Sequence, residues 1–202
     1  MKGSIGPVEL TYPFGERAVR ALKAGDAVAI SGRVYTGRDK FHKYIADGGR
    51  MPVDFRDGAL YHCGPVVVRE KGADGELRWS VRSAGPTTSV RENPYEPDFI
   101  AKTGVRIVIG KGGMDAKTLE AMRKHGCVYI QAVGGAAALS AASVKSVAGV
   151  SMLKEFGAAE AVWHFEVEDF SGVVAMDAHG RSLFDSVRKL SASRAATLFK
   201  VR

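Results

Sequence analysis

Two apolar runs in this sequence end in paired glycines, and that pattern constrains the fold more than any other feature. Arg106 to Ile109 reads as a buried strand. It runs into Gly110-Lys111-Gly112-Gly113, and helical periodicity follows from Met114 to His125. Cys127 to Val133 reads as another buried strand, followed by Gly134-Gly135 and an alanine-rich helix. Strands buried on both faces, with helices returning over them, belong to α/β layers. Glycine-rich turns at such junctions lie where α/β sheets bind ligands. The first turn adds a lysine, glycines that let a ligand approach the backbone, and a helix N-terminus, a combination that suits an anion. It is not a phosphate-binding P-loop, because the glycine spacing differs and Gly112 stands where Ser or Thr would bind magnesium. The competing reading is a glycine-rich turn with a solvated lysine.

The remaining elements follow from patterning. VELTYP reads as a short strand and Glu16 to Lys23 as a short helix. Val28, Ile30 and Val34 alternate with small or polar residues, a half-buried strand pattern. TGRDKFHKYIADGG reads as a loop and then a helix stopped by Gly48-Gly49. Leu60 to Val68 is an apolar strand broken by Gly64-Pro65. Beyond the KGADGE turn, Leu77, Trp79 and Val81 alternate, which predicts a hairpin. SAGPTTSVRENPYEP reads as irregular. Trp163, Phe165 and Val167 predict one strand, and Val173 and Ala175 another, with an acidic loop at Glu168 and Asp169 between them. A turn at Asp177-Ala178-His179-Gly180 leads to a last helix. The expectation is hairpin-paired strands first, then strand–helix alternation on a mixed sheet, within a single domain over residues 1–202.

Composition bounds the function. Twenty-nine basic and 22 acidic residues leave a net charge of +7, which admits nucleic acid, membrane surfaces or small anions. The basic residues are scattered except in the tail, where Arg181, Arg188, Lys189, Arg194, Lys200 and Arg202 face only Asp185. That tail reads as a solvated helical face, or otherwise as a docking surface. Cys63 and Cys127 are far apart and not in CxxC spacing, which argues against a disulfide scaffold. A cluster of iron and sulfur normally needs three or four thiolates, more than these two cysteines supply. No apolar run is long enough to span a membrane, and MKGSIGPVEL lacks a signal-peptide core, so a cytoplasmic protein is expected.

Chemistry-bearing side chains gather in three places. Lys111 is the first. The second is Gly85-Pro86-Thr87-Thr88-Ser89-Val90-Arg91, where hydroxyls sit beside an arginine whose planar fork matches a carboxylate; a self-capping turn is the alternative. The third is Arg38-Asp39-Lys40-Phe41-His42-Lys43. On a helix this puts Arg38 and His42 on one face as carboxylate ligands; the alternative is an Asp39–Lys43 surface pair with a packed histidine. His62, His125, His164 and His179 form no ligand spacing. No nucleophile–base set emerges. Arg38, His42, Thr87, Arg91 and Lys111 make a clamp for a small dianion that lacks an electrophile.

SGRVYTGRDKFHK, YHCGP, GPTTSVR, GKGGM, QAVGGAAAL and AVWHFEVEDF occur in this order. Together they resemble the beta subunit of class I iron–sulfur hydro-lyases, fumarate hydratase and L(+)-tartrate dehydratase. Lys40-Phe41 departs from the small residues this family often carries inside its RDxxHK motif. The resemblance implies a swivelling β/β/α domain with a mixed sheet. It implies a [4Fe-4S] cluster held by a separate alpha subunit, in an α2β2-type heteromer whose active site lies between the chains. It also implies that Arg38, Arg91 and Lys111 bind the carboxylates of a C4 dicarboxylate, that Thr87 lies nearest the transferred proton, and that His42 hydrogen-bonds substrate. The expected reaction is reversible hydration of fumarate to malate, with tartrate dehydration as the alternative. A basic nucleic-acid-binding module is a distant third, since the sequence shows neither a stacking platform nor a recognition helix.

Overall fold

The computed structural model describes residues 6–72 and 74–198. The chain runs β1 (Val8–Thr11), α1 (Glu16–Ala21), β2 (Ala27–Thr36), α2 (Asp39–Ala46), β3 (Ala59–Tyr61), β4 (Val66–Lys71) and β5 (Leu77–Ser83). A 3-10 turn (Ser89–Glu92) and α3 (Glu96–Thr103) follow, then β6 (Ile107–Gly110), α4 (Ala116–His125), β7 (Val128–Gln131), α5 (Ala137–Ala142), β8 (Val144–Ser151), α6 (Leu153–Phe156), β9 (Val162–Met176) and α7 (Leu183–Leu198).

β1, β2, β3, β6 and β7 lie side by side in parallel. β9 runs antiparallel to three neighbours. It pairs with β2 from Tyr35↔His164 to Ala27↔Val173, with β8 over its first half, and with β7 at Gln131↔Val173 and beyond. β9 thereby joins the two ends of the β2–β3–β6–β7 run, and the mixed sheet curls into a partial barrel. A single strand can serve both ends because it bends. Asp169 sits at φ 51, and the β2–β9 register shifts between Ile30 and Gly32 at the same level, as a bulge requires. The acidic stretch expected to be a loop between two strands is therefore this bend within one strand.

Side chains alternate across the sheet. Ala59, Tyr61, Ile107, Ile109, Val128 and Ile130 face one core with Trp163 and Phe165. Leu60, Val108 and Tyr129 face a second core with Phe41 and Ile45 of α2, Phe99 and Ile100 of α3 and Met122 of α4. Burial on both faces explains why these strands read as continuous apolar runs. The β4–β5 hairpin forms as expected and packs on the first core, Trp79 standing edge-on to Trp163 at 5.1 Å.

Other expectations change. β1 and β2 are not a hairpin but a parallel pair joined across α1. The apolar stretch from Leu60 divides at Gly64-Pro65 into β3 and β4, which belong to different sheets. The irregular stretch holds the 3-10 turn, then α3 with proline in its first turn, where a missing N–H costs nothing. β8 went unread because its alternation is diluted by serine and glycine. The last helix stands as α7, with no buried residue. Lys200 and Arg202 of the basic tail lie outside the described residues.

Glycine at the end of β6 has a packing cause. A Cβ on Gly110 would fall 2.0 Å from Ser89 Oγ, 3.0 Å from the Tyr129 hydroxyl and 3.2 Å from His62 Nδ1. Gly110→Ala is therefore expected to destabilise the fold by about 1–3 kcal/mol, the range for overpacking a filled interior. Urea unfolding measures this, and an unchanged midpoint would show that the space is not tight.

Candidate functional site

The cations singled out in the sequence converge where the ends of β3 and β6 meet the N-terminus of α2. Arg38 precedes α2 in extended conformation. Its guanidinium lies 3.3 Å from Glu160 Oε1 and donates to the Ala159 carbonyl. It passes so close to Gly64 that a Cβ there would be 2.4 Å from Nη1, which gives the glycine of YHCGP a reason. Asp39 bridges the two arginines, 3.9 Å from Arg38 and 3.2 Å from Arg91. Arg91 Nη2 donates to Thr87 Oγ1 at 2.6 Å.

Lys111 joins through the backbone. The Ser89 N–H donates to the Lys111 carbonyl at 3.0 Å, and the Lys111 N–H to the Thr87 carbonyl at 3.3 Å, so the 87–91 turn extends the sheet beside β6. Among the described residues the Lys111 ammonium has no hydrogen-bond or ion-pair partner. Arg38 and Arg91 are linked through Asp39 and Thr87 through Arg91, with Arg91 close to half exposed, while Lys111 follows through backbone bonds and its side chain runs beside Gly134. A groove of about 440 Å³ opens nearby, lined by Val90, Asn93, Gly112, Met114 and Phe184, but none of these four residues lines it. The clamp is an open wall.

The helix N-terminus after GKGG is not offered to a ligand as expected. α4 begins at Ala116, and the Asp115 carboxylate already accepts the Thr118 N–H and hydroxyl. The Gly112 N–H donates to Gln131 Oε1. Lys111 supplies the charge of this turn, and its glycines supply shape.

His42 does not join this face. It points inward, 1% exposed, into a polar network inside the second core. His42 Nδ1 lies 2.9 Å from the Arg38 carbonyl, and Nε2 lies 3.0 Å from Glu96 Oε2. The same carboxylate oxygen is 3.2 Å from His62 Nε2. His62 Nδ1 lies 2.8 Å from Ser89 Oγ, which is 2.9 Å from the Tyr129 hydroxyl. Glu92 is also buried, its Oε2 3.6 Å from His42 Nδ1. His62 has no ligand spacing in the sequence, and Glu92 and Glu96 carry no local motif. α3 and the sheet bring these groups together.

Partners assign the protons. The Arg38 carbonyl can only accept, so His42 Nδ1 carries a proton, and the Glu96 carboxylate beside Nε2 favours a second. Burial alone would lower its pKa, but Glu96 and then Glu92 outweigh burial and raise it. Burial alone would likewise raise Glu96, yet contact with His42 and His62 brings it down to about 2. His62 is lowered by burial and stays neutral, donating from Nε2 and accepting from Ser89 at Nδ1. Glu92 is pushed up to about 7, mainly by burial.

His42, His62 and Glu96 are also the group among the described residues with metal-ligand spacing, their ligand atoms within 4.8 Å of one another. The His42 Nδ1 and His62 contacts are hydrogen bonds, whereas His42 Nε2, 3.0 Å from Glu96 Oε2, and Glu96 Oε1 have no hydrogen-bond partner among the described residues. The cysteines do not suit a cluster: Cys63 and Cys127 are both buried, and burial raises both thiols, Cys63 to about 12.

The family described as fumarase C-terminus matches residues 3–187. A candidate class I fumarate hydratase from Geobacillus stearothermophilus is 48% identical over 184 residues, 91% of this chain and 35% of that protein. A candidate L(+)-tartrate dehydratase beta subunit from Methanocaldococcus jannaschii is 40% identical, across 89% of this chain and 94% of its own length. The L(+)-tartrate dehydratase beta subunit of Escherichia coli K12 is 34% identical, across 92% and 90%. The chain thus spans about a third of the first relative and most of the other two.

The buried carboxyls set opposite pH dependences. Glu96, depressed to about 2, stabilises the fold above its ordinary 4.5, and that contribution is lost as pH falls from 4.5 toward 2. Glu92, raised to about 7, keeps its proton in the folded state, so stability falls as pH rises from 4.5 to 7. In urea unfolding across pH, Glu92→Gln is expected to flatten the fall between 4.5 and 7. Glu96→Gln is expected to flatten the fall below 4.5. Parallel pH curves for wild type and both variants would contradict the assignment.

Proposed function

This chain belongs to the fumarase C-terminus family, and from that premise we propose that it is the beta-type subunit of a hydro-lyase acting on a C4 dicarboxylate. What supports the reading is the linked set of Arg38, Arg91 and Thr87 around Asp39, with Lys111 joined to the same turn through its backbone. Two carboxylates need cations at separate points, and the arginine forks and the ammonium supply them. Arg91 receives one carboxylate through its planar fork. Lys111, free of an ion-pair partner among the described residues, receives the other, and Arg38 closes the side toward Glu160. Fixing a dianion this way supplies the positioning part of catalysis.

Thr87 is the hydroxyl nearest the reacting carbons. Its oxygen already accepts from Arg91, so it donates or orients more readily than it abstracts. The base that takes the proton belongs to the partner alpha subunit. That subunit also holds the [4Fe-4S] cluster, because the two thiols here are buried and protonated. When bound, such a cluster supplies a Lewis acid toward the substrate's hydroxyl and carboxylate. Water adds across the carbon–carbon double bond with this chain forming one wall. The swivelling β/β/α description is part of the same proposal, supported by the mixed sheet and partial barrel. So are an α2β2-type assembly and a cytoplasmic location. No helix among the described residues is long and apolar enough to cross a membrane.

Fumarate and malate are the proposed substrates, in line with the relative of 48% identity. Tartrate is the second reading, favoured by relatives named as tartrate dehydratase beta subunits and matched over 94% and 90% of their lengths. An anaerobic assay of the two-subunit complex on fumarate, malate and both tartrates decides between them. The chain without its partner is expected to show no turnover and no iron–sulfur absorbance; activity in that preparation would contradict a shared site. Arg91→Lys keeps the charge and loses the fork, so kcat/KM in the complex is expected to fall on the order of a hundredfold. A negligible change in steady-state kinetics would remove Arg91 from the clamp.

A further inference from the structure

The polar network inside the second core reaches each cation of the clamp through the backbone. His42 holds the carbonyl of Arg38 itself. Ser89, which takes part through its hydroxyl, donates its N–H to the carbonyl of Lys111 and sits in the turn that carries Thr87 and Arg91. Tyr129 anchors the far end on β7. Glu96 stands in the middle, with one oxygen facing His42 and His62. Gly110 leaves the space in which Ser89, Tyr129 and His62 meet.

We propose that Glu96, acting through His42 and His62, is the positioning residue of the anion clamp, fixing Arg38 relative to the 87–91 turn and Lys111. The inference rests on the clamp reading above. Glu96 touches no substrate. It sets distances between elements far apart in sequence: the start of α2, the end of β3, the 3-10 turn and β7. An apolar contact would leave these elements free to slide. A buried carboxylate hydrogen-bonded to His62 and ion-paired with His42 resists such sliding, because displacement would separate a buried charge from its partners. The titratable groups facing His42 are Glu96 from α3, Glu92 from the 3-10 turn and His62 after β3. Asp39 of α2 acts on both Glu92 and His62. Tyr95 and Phe99 wall the imidazole on its remaining sides.

The test compares Glu96→Gln, Ser89→Ala and Arg91→Ala in the complex with the alpha subunit, with thermal unfolding checking that each variant is folded. Glu96→Gln keeps the shape and removes the charge that holds His42 protonated. KM for the dicarboxylate is expected to rise on the order of tenfold to a hundredfold, with a smaller change in kcat. That rise should grow as pH increases, because burial without Glu96 favours the neutral imidazole of His42, while the wild-type KM stays flat. Ser89→Ala cuts the network at its other end and should raise KM in the same direction; it decides the matter if Glu96→Gln does not fold. Arg91→Ala separates the two levels. If it leaves KM unchanged, the clamp reading fails and this inference fails with it. If it raises KM while folded Glu96→Gln and Ser89→Ala bind substrate as the wild type does, the clamp stands and the positioning role is overturned. Nitrogen-15 spectra of the full chain at pH 7 should show His42 doubly protonated and His62 neutral with its proton on Nε2. Stoichiometric metal in the purified chain, or a neutral His42, would also overturn it.

Discussion

A carboxylate taken out of water costs several kcal/mol unless its charge is met where it lies. Glu96 is fully buried, and its charge is met by the imidazolium of His42 and the N–H of His62. Satisfying it requires α2, α3, the end of β3 and the 3-10 turn to meet at one point. Aromatic packing around that point, with Phe41, Phe55 and Phe99 in mutual contact, excludes the water that would otherwise loosen it. The polar contacts set the geometry and the apolar shell gives them their strength.

The face above is built on weaker bonds. Arg91 and Asp39 are both more than 40% exposed, and pairs of that kind contribute little to stability. Asp39 holds Arg91 in an exposed pair that costs little to break, whereas the Arg38–Glu160 pair is mostly buried and holds more firmly. A rigid interior beneath an exchangeable surface is what a binding wall needs. Under the proposed function, another chain completes this wall.

Much of the fold was readable from local pattern. The parallel core strands showed as apolar runs because both of their faces are buried, and the hairpin showed through its turn residues. Arg38, Thr87, Arg91 and Lys111 were readable because their residue types declare charge and hydrogen-bonding capacity wherever they fall. α3 was hidden because proline in its first turn resembles a loop, and β8 because serine and glycine blur its alternation. The bend at Asp169 is hidden because an acidic pair between apolar runs looks the same whether it bends one strand or forms a loop between two. His42 was misplaced for a clearer reason. Helical spacing puts it on one face with Arg38, but Arg38 precedes the helix in extended conformation and its guanidinium meets Ala159 and Glu160, while His42 is buried in the core.

By itself, the sequence determined the kind of chemistry: cations, hydroxyls and glycine turns at the ends of buried strands, without enough cysteine for a cluster. It also determined the family, since ordered motifs survive as words in a chain. Tertiary structure alone decided that β9 closes the sheet into a partial barrel, and that His62 and Glu96 meet His42 beneath the clamp. Turn preference and side-chain periodicity act over a few residues and are written locally. The meeting of groups 20 to 54 positions apart depends on sheet register and helix packing, which no short segment encodes.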